Sequence, residues 1–543
     1  MDNFGDVSEM FKNIWQFTQL AQIFIVILSI NKDLNKDTMT KFRNLMLLCL
    51  CALMAFPAMR AEHLMIIAVN DTHSQIDPAS DGKGGVARRR AIYDQLRATN
   101  PNTVFIHAGD AVQGTLFFSL YRGEVEYALM DTLGYDMIIL GNHEFDNGME
   151  ELANHYRNID AVKVSTNYDF SATPLNGLFQ PYWIKAVGDK RVAFFGINVN
   201  PTGLIADMNC KNLGYRYAPG VADATARYLK QILGVDYAIM VSHIGYSSYE
   251  PTEPNDSLII TQSHDIDMVI SSHSHTTIGP GSGWDRVANA DGKLIPIGQN
   301  GKSGKFVATY DLDLETGNIE YSLIPVDASW DGAASRYTAM NKWLDHYRHG
   351  VDSIMNNPVG TSARFMKNSS AAAQNWVSDV AMEIIKDLSG IKNIDCAIMN
   401  KGGIRTDMPE GTVTEGVIGS MFPFDNRFVV LEMPGAELIE SVKLMCGRGG
   451  DAVSKELKAT YNSKGEVTSA TVKGKKIDPK KNYIVATIDY LANGGDYMTP
   501  MTRCKRLFVD TQKYGNHILE YVKQLEAKGK KIDAKDEVRI RKK

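Results

Sequence analysis

Gly141-Asn142-His143-Glu144-Phe145-Asp146 follows directly on the apolar run Tyr135-Asp136-Met137-Ile138-Ile139-Leu140. The run reads as a buried β-strand, and the hexapeptide puts an amide, an imidazole and a carboxylate where that strand ends, with Glu144 and Phe145 serving turn and packing. Ligands of open α/β sheets bind at such carboxyl ends. Four other places repeat the arrangement. Asp71 and His73 follow the strand ending at Val69, and Asp110 follows the one ending at His107. His243 follows Val241 and Ser242, and His273 and His275 follow the run from Asp267 to Ser272. The chain has only 12 histidines, and five of them stand at these exits. Mixed carboxylate, imidazole and amide donors suit zinc, manganese, cobalt or iron. One aspartate can bridge two such cations about 3.5–4 Å apart, an arrangement used on phosphate esters.

Around these exits, apolar runs alternate with helical stretches. The runs are His63–Val69, Thr103–His107, Tyr135–Leu140, Arg191–Ile197, Tyr237–Val241 and Asp267–Ser272; helices are expected over Gly85–Thr99, Leu120–Leu133 and Asp223–Leu233. Continuous apolar strands are those covered on both faces. This predicts a layered α/β domain over residues 62–334. A helix over residues 335–358 carries Met340, Trp343, Leu344, Tyr347, Val351 and Ile354 on one side and joins it to a second, α+β block over 359–543. The second block should contain helices Asn375–Ser389 and Ala436–Leu444 and strands Asp395–Met399, Arg427–Met433 and Asn482–Thr487. Its tail, Arg539 to Lys543, reads as a frayed, solvated end.

At 543 residues with a formal net charge of -5, the chain is too long for one core and too acidic for a nucleic-acid polymer to be its partner. Residues 1–61 read as an N-terminal extension and signal peptide. Lys41 and Arg43 precede the short apolar run Leu45 to Ala55, which exits through small residues and Pro57. Translation is expected to start at Met39. Leu20–Ile30 and Leu45–Ala55 are both shorter than the roughly 20 residues of a spanning helix, so no stable membrane span is expected in the mature chain. Export to the periplasm or the cell exterior follows from this reading. Among Cys396, Cys446 and Cys504 one disulfide is conceivable in an exported protein.

The second block has signals of its own. Asn400-Lys401-Gly402-Gly403-Ile404-Arg405 follows a strand; its glycines allow close backbone approach, and its arginine can grip a phosphate bidentately. Phe424 with Asn426, and Tyr490 with Asp496, offer flat faces for a base and a carboxylate for hydroxyls.

The order Asp-x-His, Gly-Asp, Gly-Asn-His-Glu, a histidine after a strand and His-x-His resembles the calcineurin-like metallophosphoesterases. The longer Gly-Asn-His-Glu-Phe-Asp, with Gly84-Gly85-Val86-Ala87-Arg88 before it, resembles their 5′-nucleotidase branch, bacterial secreted type. The resemblance implies a four-layer αββα sandwich followed by an α+β substrate-binding domain. It implies one divalent ion on Asp71, His73, Asp110 and His275, and a second on Asp110, Asn142, His243 and His273. His143 and Asp146 match the catalytic dyad. Arg405 would contact phosphate, Phe424 and Tyr490 would sandwich the base, Asp496 would take the ribose hydroxyls, and Asn400 and Asn426 would make polar contacts. The substrate implied is a nucleotide, with phosphate released from nucleoside 5′-phosphates by a hydroxide activated on two cations. The second domain is implied to rotate about a hinge near 357–361.

Three departures stand out. Ser272 precedes His273 where glycine is usual, and Tyr490 replaces a common phenylalanine. Asn368-Ser369-Ser370-Ala371 stands where many members carry a second phosphate-gripping arginine, leaving Arg364 upstream as a substitute or phosphate binding weaker. Other readings of the same chain are a 2′,3′-cyclic nucleotide phosphodiesterase with 3′-nucleotidase activity, a UDP-sugar hydrolase, and a non-catalytic nucleotide-binding envelope protein.

Overall fold

A computed structural model describes residues 63–247 and 253–543. The signal-peptide and Met39 readings lie outside the described residues.

Alternation along the first strand, His63–Val69, sets the layers. Leu64, Ile66 and Ala68 point to one face and Ile67 and Val69 to the other, and all five are buried. A strand covered on both sides belongs to an inner layer. Its sheet has the order Ile319–Pro325, Phe306–Asp313, His63–Val69, Thr103–His107, Met137–Ile138, Val162–Lys163, and the last four strands are parallel. A second sheet runs Thr277–Ile278, Leu294–Asn300, Met268–Ile270, Tyr237–His243, Lys190–Asn198, Tyr182–Val187, with Arg286–Ala288 paired to Leu294–Asn300. Leu64, Ile66, Val104 and Ile106 pack against Phe194, Ile239, Val241 and Met268 between the sheets. Helices Val86–Thr99, Glu124–Leu133 and Met149–Tyr156 cover the outside of the first sheet, and Ala218–Arg227 and Asp256–Gln262 the outside of the second. The result is helix, sheet, sheet, helix.

Two expected elements are shorter than their patterns. Only Met137–Ile138 of the Tyr135–Leu140 run pairs with its neighbours, although the whole run is buried or nearly so. The helix expected over Leu120–Leu133 is two helices, Leu116–Tyr121 and Glu124–Leu133, because Arg122 and Gly123 take φ of 54° and 94° and end the first one.

Helix Thr338–Met355 lies along the first body. The Tyr347 hydroxyl donates to Glu124, Arg348 pairs with Asp77 at 2.6 Å, and Leu344 is fully buried. The second body has a mixed five-stranded sheet in the order Ala452–Val453, Cys396–Met399, Asn482–Ile488, Phe428–Pro434, Lys505–Val509. Helices Ala371–Ser389, Gly435–Gly447 and Tyr514–Ala527 pack on it through Trp376, Leu438 and Ile518. Pro358–Ser362 is a strand paired with Gly411–Thr414, with its register shifted between Pro358 and Gly360.

One expectation fails here, and one open possibility closes. The C-terminal end is not frayed. Ile540–Lys542 adds a parallel strand to Leu457–Tyr461, Ile540 is buried, and Arg539 grips both oxygens of Asp379 at 2.8 and 2.7 Å. Charge made the tail look solvated, but a bidentate pair takes in the arginine and a sheet edge takes in the backbone. Cys396, Cys446 and Cys504 are all free thiols, the first buried with Ala397 and Ile398 in the sheet core, so no disulfide forms among them. Arg539→Ala should lower stability by about 2 kcal/mol, because it removes both charge-assisted hydrogen bonds to Asp379, whose remaining access to water softens the loss of its partner. A urea titration followed by circular dichroism measures it; an unchanged midpoint would restore the frayed reading.

Candidate active site

Carboxyl ends of both sheets meet at one edge, and the loops leaving them are distorted. Asp71, His73, Asp110, His273 and His275 all hold φ between 46° and 71°. Non-glycine residues seldom adopt that region, and such strain gathers at functional sites where surrounding structure enforces it. The enforcement is visible. Asp71 N donates to Gly109 O at 3.0 Å, His73 N to Asp110 O at 3.1 Å, and His273 N to Asp71 Oδ2 at 3.0 Å. Gly141 leaves room for Asp110: a Cβ there would stand 2.2 Å from Asp110 Oδ1.

Two donor sets share Asp110. In one, atoms of Asp71, His73, Asp110 and His275 converge within 4.8 Å; in the other, atoms of Asp110, His243 and His273 do. Several of these buried atoms have no hydrogen-bond partner: Asp71 Oδ1, His243 Nε2 and, beside them, Asn142 Oδ1. His73 Nε2 and His275 Nε2 approach to 2.8 Å, two ring nitrogens aimed at the same point. The donors are nitrogen and oxygen throughout, so the sets fit borderline divalent cations. His243 Nδ1 donates to the Ala108 carbonyl at 2.8 Å, which leaves Nε2 as its lone-pair nitrogen, 3.2 Å from Asp110 Oδ2. Such outer hydrogen bonds orient metal-binding imidazoles. Ser272 is fully buried and its hydroxyl donates to the same carbonyl at 2.7 Å, so serine serves the turn where glycine is usual.

The electrostatics are those of a cation trap. Burial pushes the Asp71 carboxyl up, but His275 and His243 overcome it and hold the pKa at about 2. Asp110 is also held well below the usual range, against burial, by His243 and His143. Burial keeps His73 well below its ordinary value and His273 down at about 3. Burial disfavours a charged His243, yet Asp110 and Asp71 raise it to about 10; the field that draws a proton there draws a metal ion as well.

His143 stands beside the donor sets, its ring 5.5 Å from that of His73. Its Nδ1 meets Asp146 Oδ2 at 2.9 Å, its backbone N–H donates to Asp110 Oδ1 at 2.9 Å, and its ring lies 6.0 Å from that of Phe424. Burial lowers the His143 pKa, and Asp146 and Asp110 more than restore it. The cleft it faces has a volume of about 440 Å³ and is lined by Asp110, Asn142, His143, Asp146, His273 and His275 on one side. Asn400, Gly402, Arg405, Phe424, Asn426, Tyr490 and Asp496 line the other side. Gly403 is the exception: it is buried behind Asn400 and does not line the cleft. The Tyr490 hydroxyl donates to Asp496 Oδ1 at 2.9 Å, so the tyrosine holds that carboxylate as well as presenting a ring. A larger surface hollow of about 870 Å³, lined by Arg90, His155 and Trp343, contains none of the expected residues.

Several residues have a part at the site that the sequence reading did not give them. Glu144 reads in sequence as a turn residue, but its buried carboxylate accepts from the N–H groups of Asp110, Ala111 and Gly141 at 3.0, 2.8 and 2.6 Å. It therefore shapes the loop that carries the shared aspartate. Gln113, fully buried, accepts from Arg405 Nη2 at 3.1 Å across the cleft. Asn209 donates to the Asp146 carbonyl at 2.9 Å from a loop whose Leu204, Ile205 and Met208 also line the cleft. Beneath the second donor set, Asp256 is fully buried and accepts from the Ser242 hydroxyl and, at 2.5 Å, from Ser271.

Burial raises the Asp256 pKa from 3.8 to about 7. The folded chain thus holds a proton there that the unfolded chain releases near pH 4, so folding is favoured below that range and disfavoured as pH climbs toward 7. Asp256→Asn should flatten the fall in melting temperature between about pH 4 and pH 7. Calorimetry across that window checks it, and an equally steep fall in the variant would place the titration elsewhere.

Comparison with known proteins agrees with this geometry. Residues 64–277 match the calcineurin-like phosphoesterase family, and residues 353–503 match the 5′-nucleotidase C-terminal domain. Mouse 5′-nucleotidase is 27% identical over 510 residues, covering 83% of this chain and 86% of that protein. Bovine 5′-nucleotidase is 28% identical over 453 residues, covering 76% and 77%. A crystal structure of a 5′-nucleotidase precursor from Thermus thermophilus superposes with a TM-score of 0.75 at 25% identity, covering 88% of this chain and 99% of that one. Two matched domains in this order, homologues along nearly the whole described length and a shared two-domain fold place the chain in the 5′-nucleotidase family of metallophosphoesterases, as a phosphoric monoester hydrolase.

Proposed function

We propose that the protein is an exported hydrolase that releases phosphate from nucleoside 5′-phosphates, with a divalent ion in each of the two donor sets. One observation carries the reading: a single cleft joins the donor sets and the His143–Asp146 pair to Arg405, two aromatic rings and the Asp496 carboxylate.

Asp71, His73, Asp110 and His275 would hold one divalent ion and Asp110, Asn142, His243 and His273 a second, and the chemistry they would supply is charge at the phosphoryl oxygens and a lowered pKa for the attacking water. The protein's own residues do the rest. Asp110 belongs to both sets and fixes their spacing. Asp146 accepts from His143 Nδ1 and, with Asp110, raises its pKa, which favours the imidazolium whose Nε2–H can pass to the departing ester oxygen. Arg405, braced by Gln113, grips the phosphate. Phe424 and Tyr490 offer faces to the base, each worth about 1–3 kcal/mol by stacking. Asp496 and Asn426 take hydroxyl and base edges, and Asn400 packs with Gly402 and Gly403 to shape the turn between them. Residues 62–334, 335–358 and 359–543 serve as metal domain, connecting helix and nucleotide domain, with the bend near 357–361.

The test is a hydrolysis panel on purified protein with AMP, ATP, UDP-glucose, 3′-AMP, 2′,3′-cyclic AMP and p-nitrophenyl phosphate. It is run with and without chelator and with each of zinc, manganese, cobalt and iron restored. The proposal expects AMP to lead and chelator to abolish release. Preference for 3′-AMP or the cyclic nucleotide would move the assignment to those esters, and no metal-dependent release from any nucleotide would remove it.

A further inference from the structure

Arg405 faces the phosphoryl end of the cleft with few companions of its own sign. Arg122 is engaged by Glu151 at 2.6 Å and lies near Asp425. Arg364, the substitute that the sequence offered, pairs with Asp533 at 2.7 Å and does not line the cleft. Asn368 gives its amide to the carbonyls of Ile404 and Arg405 at 3.3 Å, so it fastens the Arg405 turn and brings no charge.

A second cavity of about 650 Å³ adjoins the cleft and shares Gly402 and Arg405 with it. Lys302 lines it from the first domain. The loop that carries Lys302 is laced to the metal-ligand loop on both sides of the lysine. Gly301 O accepts from Asn70 Nδ2 at 2.8 Å, and Ser303 N donates to Asp71 O at 2.7 Å. Gly304 sits so close on the Arg89 guanidinium that a Cβ would overlap it, which fixes the loop from beneath. The Lys302 side chain is open to solvent over part of its surface. Lys401, on the same cavity, gives its ammonium to the Arg448 carbonyl at 2.9 Å. Partial burial and the charge of Arg405 lower the Lys302 pKa while Asp71 raises it, so the ammonium feels both the arginine and the first donor set.

We propose that Lys302 is a second phosphate-binding cation, reaching the phosphoryl oxygens from the metal domain opposite Arg405. A dianion placed between the donor sets and Arg405 relieves the repulsion between the two cations and gives the ammonium a partner. This assigns the two gripping charges to different domains, one on the metal-ligand side and one on the nucleotide side. It rests on reading the donor sets as the phosphoryl site, not on which nucleotide is preferred.

The test uses inorganic phosphate as a competitive inhibitor of p-nitrophenyl phosphate hydrolysis by the metal-loaded full chain, together with direct phosphate binding by calorimetry. Lys302→Ala should weaken phosphate binding roughly tenfold to a hundredfold, the range for a lost charge-assisted hydrogen bond. KM should rise in parallel, kcat should change by less than about threefold, and the salt dependence of phosphate binding should flatten. Lys302→Arg should restore binding, and metal content should equal that of wild type in both variants. Phosphate affinity within about twofold of wild type in Lys302→Ala would overturn the assignment of Lys302 alone. Failure of phosphate to compete in the wild type would overturn the phosphoryl-site reading beneath it.

Discussion

Asp110→Asn is expected to lose at least about 10³-fold in kcat/KM, corresponding to roughly 4 kcal/mol of transition-state stabilisation, and to lose bound metal at the same time. Asp110 is the one residue common to both donor sets, and its carboxylate is held ionised by His243 and His143 against complete burial. Asparagine keeps the shape and one oxygen, which can still accept from the His143 backbone N–H, so the loop should survive. What disappears is the negative charge and the second oxygen, leaving His243 Nε2 without its neighbour at 3.2 Å. Metal analysis by mass spectrometry beside steady-state kinetics reads both effects. A variant that keeps two ions per chain and near-native turnover would show that Asp110 does not bridge.

His143→Ala should separate the two effects that Asp110→Asn combines. The imidazole faces the cleft and Asp146, and only its backbone touches the shared aspartate. Metal content should therefore stay at the wild-type value while kcat falls about 10²–10⁴-fold, the usual contribution of a positioned general acid. The loss should be larger for esters with poor leaving groups than for p-nitrophenyl phosphate, whose leaving oxygen needs no proton. Loss of metal, or an equal loss on every ester, would show that the histidine is a structural or ligand residue. Asp146→Asn should lose less than His143→Ala, because it disturbs the tautomer and leaves the ring in place.

Much of this is legible in one dimension. Runs apolar at every position from Leu64 to Val69 and from Val104 to Ile106 announce strands buried on both faces. Polar residues immediately after them announce the site, because the parallel strands of a sheet all end on one edge. What the sequence hides shares a physical cause. Glu144, Gln113 and Asn209 act through hydrogen bonds to backbone or to residues remote in sequence, and nothing in their neighbours marks such partners. The tail misleads for the same reason: Arg539 looks solvent-bound until Asp379, 160 residues away, is placed beside it.

The sequence by itself determined the layered first domain and the edge on which the ligand-type residues gather, since periodicity and strand-exit position are local properties of the chain. Tertiary structure alone decided how those residues share work. It drew together on Asp110 the two donor sets that the resemblance implied, and it showed that Gly403 stands behind Asn400 and outside the cleft, that Arg364 is taken up by Asp533, and that Lys302 lines one cavity with Arg405. All but the Gly403 packing depend on distances between segments remote in sequence, which are fixed only when the two sheets pack and the second domain closes over their edge.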